Sequence, residues 1–307
     1  MADHKREQHV PGTLPANGDG AVDSGRVFAN YATLPDIQSL PDERKIPIDK
    51  VGVKGLRYPI SVKDRQKGLQ HTVGLFDLFV NLPHDFKGAH MSRFIEVLNE
   101  FRGEISMEKF REILEKIKSK LNAKSAHMNV EFPYFIEKNA PITGTPGLMS
   151  YTCFMRGALA DRFDLIVGVE VPVTTVCPCS KEISEYGAHN QRGIVRVQLR
   201  FRKLFWIEEI IEVVESSVSS EIYSLLKRPD EKFVTEKAYE NPMFVEDVVR
   251  LALSRLREKN NFPWYKIEAE NFESIHNHSA YASIEKDFSP EPDCFTGGSS
   301  IRYNGAL

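Results

Sequence analysis

The sequence predicts an α+β protein in which antiparallel sheet carries helices on one face. Three observations lead there. Hydrophobic periodicity gives the element order strand-strand-helix-helix-strand-strand, and that order occurs twice. The strands alternate apolar and polar residues, as half-covered antiparallel strands do. Strand and helix do not alternate singly, as a doubly wound parallel sheet would require. The residues themselves show no matching period, so the doubling lies in element order alone.

Residues 1–45 are polar, with Pro, Gly, Asp and Asn scattered through them, and predict a disordered arm. A strand is expected over 56–62, with Pro59 marking an edge or bulge. A second runs over 71–82. Met91, Phe94, Ile95, Leu98 and Phe101 recur at helical spacing, and Gly103 closes that helix. Ser106 is the expected N-cap of the next, whose buried stripe is Phe110, Ile113, Leu114, Ile117 and Leu121. Ala126, Met128, Val130 and Phe132 alternate with His127, Asn129 and Glu131, which gives a strand with one wet face bearing His127. After a turn-rich stretch at 141–147, a strand pair spans 151–173 and holds Cys153 as a buried small hydrophobe.

The second half repeats the order. Val195, Val197, Leu199 and Phe201 alternate with Arg196, Gln198, Arg200 and Arg202. A helix follows with Ile207, Ile210, Ile211, Val214, Val218 and Leu225 inward, ended by Pro229. Asn241-Pro242 has the form of an N-cap with proline at the first helical position. That helix buries Val245, Val248, Val249, Ala252 and Leu256. Strands over 264–269 and 276–284 come last. The chain divides into an arm (1–45), a first module (46–173), a second module (174–288) and an irregular tail (289–307).

Composition excludes several function classes. Net charge is −3, so no global basic field draws nucleic acid or an anionic membrane. No apolar run approaches the roughly 20 residues of a membrane helix, and the N-terminus has no secretory apolar core. Four cysteines, at 153, 177, 179 and 294, are too few for a disulfide scaffold. The expectation is a reduced, cytoplasmic protein.

The stretch 174–192 carries the chemistry. Cys177 and Cys179 form C-x-C, and His189 follows Cys177 by twelve residues. There is no second cysteine pair for a closed four-thiolate zinc site. Two readings stand for the thiols: metal ligands, or partly buried free thiols. A lone His is as well explained by hydrogen bonding, but thiol and imidazole together suit borderline metals. Glu231, in a polar connection, has the composition of a surface acid. His276 and His278 are two apart on an expected strand and so share a face. Glu246 lies in the first turn of its helix, where the macrodipole favours an acid. No Walker-type glycine loop occurs.

Cys177-Pro178-Cys179-Ser180-Lys181, Tyr186-Gly187-Ala188-His189-Asn190-Gln191-Arg192, Asn241-Pro242 with Phe244-Val245-Glu246-Asp247, and Ile275-His276-Asn277-His278 together resemble the type IB GTP cyclohydrolase I family, the prokaryotic form. The resemblance covers roughly residues 50–290. It implies two tandem tunnelling-fold modules, each an antiparallel sheet with two helices between its middle strands, assembling into barrels as a homotetramer. It implies GTP as substrate, hydrolysis at C8, formate release and rearrangement to 7,8-dihydroneopterin triphosphate, which supplies folate and queuosine precursors. One divalent transition metal per site is implied, Zn, Mn or Fe(II), held by Cys177, Glu231 and His276. His189 is a fourth ligand or a proton-transfer group. Cys179 supports the metal ligands or works in acid-base transfer, Glu273 assists proton transfer, and Glu246 anchors the guanine. Lys87, His90, Arg93, Lys181 and Arg192 are candidates for the triphosphate. Two alternatives remain: a nitrile reductase of the same fold using a Cys nucleophile and NADPH, and a non-catalytic metal-binding scaffold.

Overall fold

The computed structural model describes residues 35–103 and 105–288. The expected arm up to residue 34 and the tail from 289, with Cys294, lie outside the described residues. In the first half, β1 (Ile48–Asp64) and β2 (Gly68–Leu82) are followed by α1 (Met91–Glu100) and α2 (Phe110–Lys120), then β3 (Ala126–Asn139) and β4 (Pro146–Leu159). The second half runs β5 (Phe163–Val176), α3 (Pro178–Ile183), β6 (Asn190–Arg200), α4 (Ile207–Glu215), β7 (Ser220–Glu221), α5 (Arg228–Glu240), α6 (Val245–Glu258), β8 (Trp264–Phe272) and β9 (Ser279–Asp287).

The sheet corrects the expected architecture. All strands join one antiparallel sheet in the order β1-β2-β3-β4-β5-β6-β8-β9, with β7 paired to β5. β4 pairs β5 directly, so the halves share a sheet instead of forming two. β1 and β9 stand at its opposite edges and do not pair, so the sheet is open and not closed into a barrel. The α+β arrangement stands; the barrel does not. Three helices and β7, not two helices, separate β6 from β8.

The apolar face of the sheet is covered by helices and makes one continuous core. Phe76, Leu78, Met128, Val130, Cys153, Met155, Val167, Val169, Val195, Val197 and Ile267 line it from the strands. Phe94, Leu98, Phe110, Ile113, Ile210, Val214, Val248 and Ala252 meet them from the helices. The period-2 and period-3.6 stripes of the sequence are these two surfaces. Gly103 takes φ 83°, the left-handed conformation that ends α1's last turn.

Several expected elements end elsewhere. Ser106 is not the N-cap of α2, which Lys109 occupies. The helix expected to reach Leu225 stops at Glu215, because Ser216 and Ser217 bond back to Val213 O and the chain then pairs with β5. Pro229 does not end a helix but opens α5, where Asp230 accepts from Lys227 N at 2.9 Å. Asn241 caps the end of α5, and α6 begins after Phe244, whose N donates to Asp247. His127 is half-buried, and burial lowers its pKa. No described helix is long and apolar enough to cross a membrane.

Candidate active site

β5 runs out at Val176, and Cys177 follows in extended conformation as the N-cap of α3. Pro178 has the fixed φ that suits a helix start. Cys177 Sγ accepts from Ser180 N at 3.5 Å, and Cys177 O accepts from Lys181 N at 3.2 Å. The chain turns back through Gly187, at φ 82°. Cys177 N then donates to His189 O at 3.1 Å, and His189 N donates to Ser180 Oγ at 3.2 Å. Ser180 thus staples the two ends of the connection, and the Cys-His spacing is realised as a closed loop. The sequence reading missed Ser180; its place three residues after an N-cap was the available signal.

The His189 ring is held from the segment that follows β8. Its Nδ1 lies 3.3 Å from Ser274 Oγ and 4.0 Å from Glu273 Oε2. Both the His189 and Glu273 side chains are largely buried, at 15% and 13% exposure. A carboxylate and a hydroxyl beside one ring nitrogen orient the imidazole and leave its other nitrogen for chemistry. Cys179 is exposed in the first turn of α3.

The other candidates are placed as follows. His276 and His278 are exposed in the loop between β8 and β9, with rings stacked at 5.1 Å. The expected strand starts only at Ser279, since residues 274–278 are all exposed and offer no face to bury. Glu231 is exposed in the first turn of α5, not in an irregular connection. Glu246 is exposed in the first turn of α6, and Met243 N donates to Val176 O at 3.0 Å, which ties that helix start beside Cys177. Lys181 Nζ donates to Tyr239 O at 2.5 Å and lies over the Tyr239 ring. Arg192 is exposed on β6, between Thr174 and Phe272 in register.

Lys87, His90 and Arg93 follow the Leu82 end of β2. Tracing the register through Ala126, Leu159, Phe163 and Arg200 puts them at the end of the sheet away from Cys177. Their half and end of the sheet both differ from those of Cys177, across the roughly 40 Å that a 14-residue strand spans. His90 Nε2 pairs with Asp36 Oδ1 at 2.9 Å, and Arg93 donates to Lys120 O at 3.3 Å.

A thiol, two imidazoles and a carboxylate are donors that a borderline divalent ion accepts, so the set of Cys177, His189, Glu231 and His276 fits one in chemistry. In placement, no three His, Cys, Asp or Glu side chains among the described residues are gathered to hold an ion.

The family model for type I GTP cyclohydrolase FolE2 matches residues 34–282. This chain belongs to that family. It is 63% identical over 253 residues to the GTP cyclohydrolase FolE2 of Syntrophus aciditrophicus, covering 82% of this chain and 99% of the relative. To the FolE2 of Geotalea uraniireducens it is 57% identical over 254 residues, covering 83% and 94%. Among solved structures, a uricase from Bacillus fastidious aligns with TM-score 0.48 and 7% identity, over 80% of this chain and 94% of that one. The enzyme is a prokaryotic, metal-dependent GTP cyclohydrolase. It hydrolyses GTP toward dihydroneopterin triphosphate for folate biosynthesis.

Proposed function

We propose that the reaction is carried out around the Cys177–His189 rung, with Glu273 behind the imidazole and Glu246 at the base. What carries this reading is the His189 ring, faced by Ser274 and Glu273 while its backbone is bonded to Cys177. Glu246 accepts the N1–H and 2-amino N–H of guanine, two donors that one carboxylate can take together. His189 supplies a proton to an imidazole nitrogen of the purine as the bond to C8 opens, and Glu273 holds the ring in the orientation for it. Cys179, exposed in the first turn of α3, is the second proton carrier.

Cys177, Glu231 and His276 would hold the divalent ion, Zn, Mn or Fe(II), and His189 would join them as a fourth ligand only in place of its proton-transfer role. When bound, the ion lowers the pKa of a coordinated water so that hydroxide is available near neutral pH. The triphosphate is held by Lys181 and Arg192 near the rung and by Lys87, His90 and Arg93. The far-end placement of these last three favours a homotetramer in which a neighbouring copy supplies them. Free thiols at 153, 177 and 179 suit a reduced, cytoplasmic setting. The same product supplies queuosine precursors.

Cys177→Ala is the direct test. Turnover of GTP should vanish and bound metal should fall, with the oligomer intact by light scattering. Parent-level turnover in that variant overturns the assignment.

A further inference from the structure

On the helix-covered face of the second half, β5 presents Val169, Val171 and Val173, then Thr175. β6 presents Leu199, Val197 and Val195, then Gly193 and Gln191. The apolar stripe therefore ends in two polar side chains, which are register partners. Both are buried, Thr175 wholly and Gln191 at 6% exposure. Thr175 Oγ1 and Gln191 Oε1 have no hydrogen-bond partner within the protein. Buried polar atoms are almost always partnered, and two facing ones mark a place for a small polar group. Their surroundings suit one. Ser217, Ser219 and Ser220 are buried, and Val176 N donates to Ser219 Oγ at 3.1 Å. Asn271 lies over Gly193, where an added Cβ would meet Asn271 Oδ1 at 2.5 Å.

Each residue of the pair stands two positions from a side chain of the active centre: Thr175 before Cys177, Gln191 after His189. Strand alternation gives them the same face. The next link beyond the pair is the bond from Cys177 N to His189 O. We propose that Thr175 and Gln191 are positioning residues which together hold one internal water beneath the Cys177–His189 rung. The water donates to Gln191 Oε1 and exchanges a hydrogen bond with the Thr175 hydroxyl. That link fixes the depth at which the start of β6 presents the His189 ring. The proposal rests on His189 working in the reaction.

The test uses the full-length enzyme. Thr175→Val removes the hydroxyl at nearly constant volume. It should lower kcat about tenfold or more, since small displacements of a reacting group cost at least that much. KM for GTP should stay unchanged and the thermal midpoint should be no lower than the parent's. Thr175→Ser restores the hydroxyl and should restore kcat. A crystal structure of the parent should show a water within hydrogen-bond distance of both atoms. His189→Ala separates the two claims. If it turns over GTP like the parent, the active centre is misassigned and the proposal falls with it. If His189→Ala is inactive while Thr175→Val matches the parent, the positioning role alone is overturned. A Thr175→Val loss of kcat that tracks a lower thermal midpoint and is not rescued by Thr175→Ser also overturns it.

Discussion

Tyr134 and Tyr151 face each other across β3 and β4, and each donates its hydroxyl to a glutamate of α4. Tyr134 bonds Glu208 at 2.6 Å and Tyr151 bonds Glu215 at 2.8 Å. Seven residues is two helical turns, so both carboxylates lie on one side of α4. The pair ties the sheet of the first half to a helix of the second.

Removing either hydroxyl should destabilise the enzyme. Both tyrosines are 1% exposed, and a bond to a charged acceptor is worth about 1.5–3 kcal/mol. Each glutamate keeps one partner, Arg65 N at 2.9 Å for Glu208 and Lys138 Nζ at 2.8 Å for Glu215, but only the second is a charge, so Tyr134→Phe should cost more than Tyr151→Phe. Urea denaturation measures both. Burial, then the neighbouring glutamates, pushes the two hydroxyls well above the usual tyrosine range, and Tyr223 is raised by burial and Glu221. Above pH about 10 the unfolded chain releases these protons and the folded one keeps them, so stability falls as pH rises. An ultraviolet titration should show these three of the ten tyrosines ionising only with unfolding.

Asp230 should matter most at neutral pH. Its carboxylate accepts from Ile142 N, Thr143 N, Thr143 Oγ1 and Lys227 N, which latches the β3–β4 turn to the start of α5. Burial works upward on its pKa, but the bonds from Thr143 and Lys227 outweigh it and hold the group down to about 2. Folded below unfolded means the stabilisation is whole above pH 3.8 and is lost as pH falls through about 2. Asp230→Asn should therefore be less stable than the parent at pH 7, and the two thermal midpoints should converge toward pH 2. A gap that persists at pH 2 contradicts this account.

How much of this was legible in the sequence depends on the range of the interaction. Local signals carried well: the stripes at Phe110–Ile117 and Val195–Leu199 set their elements, and Gly187 allowed Cys177 and His189 to meet. Pro229 was ambiguous because proline serves both the end of one helix and the start of the next; Asp230 decides for the start. Whether the halves share a sheet could not be read, because the period-2 pattern of β4 and β5 is the same in one sheet or two. The far-end position of Lys87 and Arg93 was hidden for the same reason, since it follows from strand pairings distant in sequence.

Glu246→Gln tests the proposed anchoring of the base. The amide keeps the shape but turns one acceptor into an N–H facing guanine donors. Losing charge-assisted bonds worth about 1.5–3 kcal/mol corresponds to roughly 10- to 100-fold weaker GTP binding. Calorimetry with GTP should show this, and the thermal midpoint should barely move, because Glu246 is exposed. Inosine triphosphate, which lacks the 2-amino group, should lose less between parent and variant than GTP does. Equal losses would mean that the carboxylate does not reach that edge of the base.

Complementation between copies tests whether a neighbouring copy completes the site. Cys177→Ala removes a group at one end of the sheet, and Arg93→Ala removes one at the other end. If one chain supplied both to the same GTP, mixed oligomers would contain only crippled sites. If a neighbouring copy supplies Arg93, some sites in a mixed oligomer inherit both faults and others inherit neither. Co-expressing the two variants with different tags, and isolating doubly tagged oligomers, should recover a measurable fraction of parent turnover. The double variant Cys177→Ala/Arg93→Ala mixed with parent gives the reference for that fraction. No recovery in doubly tagged oligomers would place Arg93 outside the reaction or return it to the same chain as Cys177.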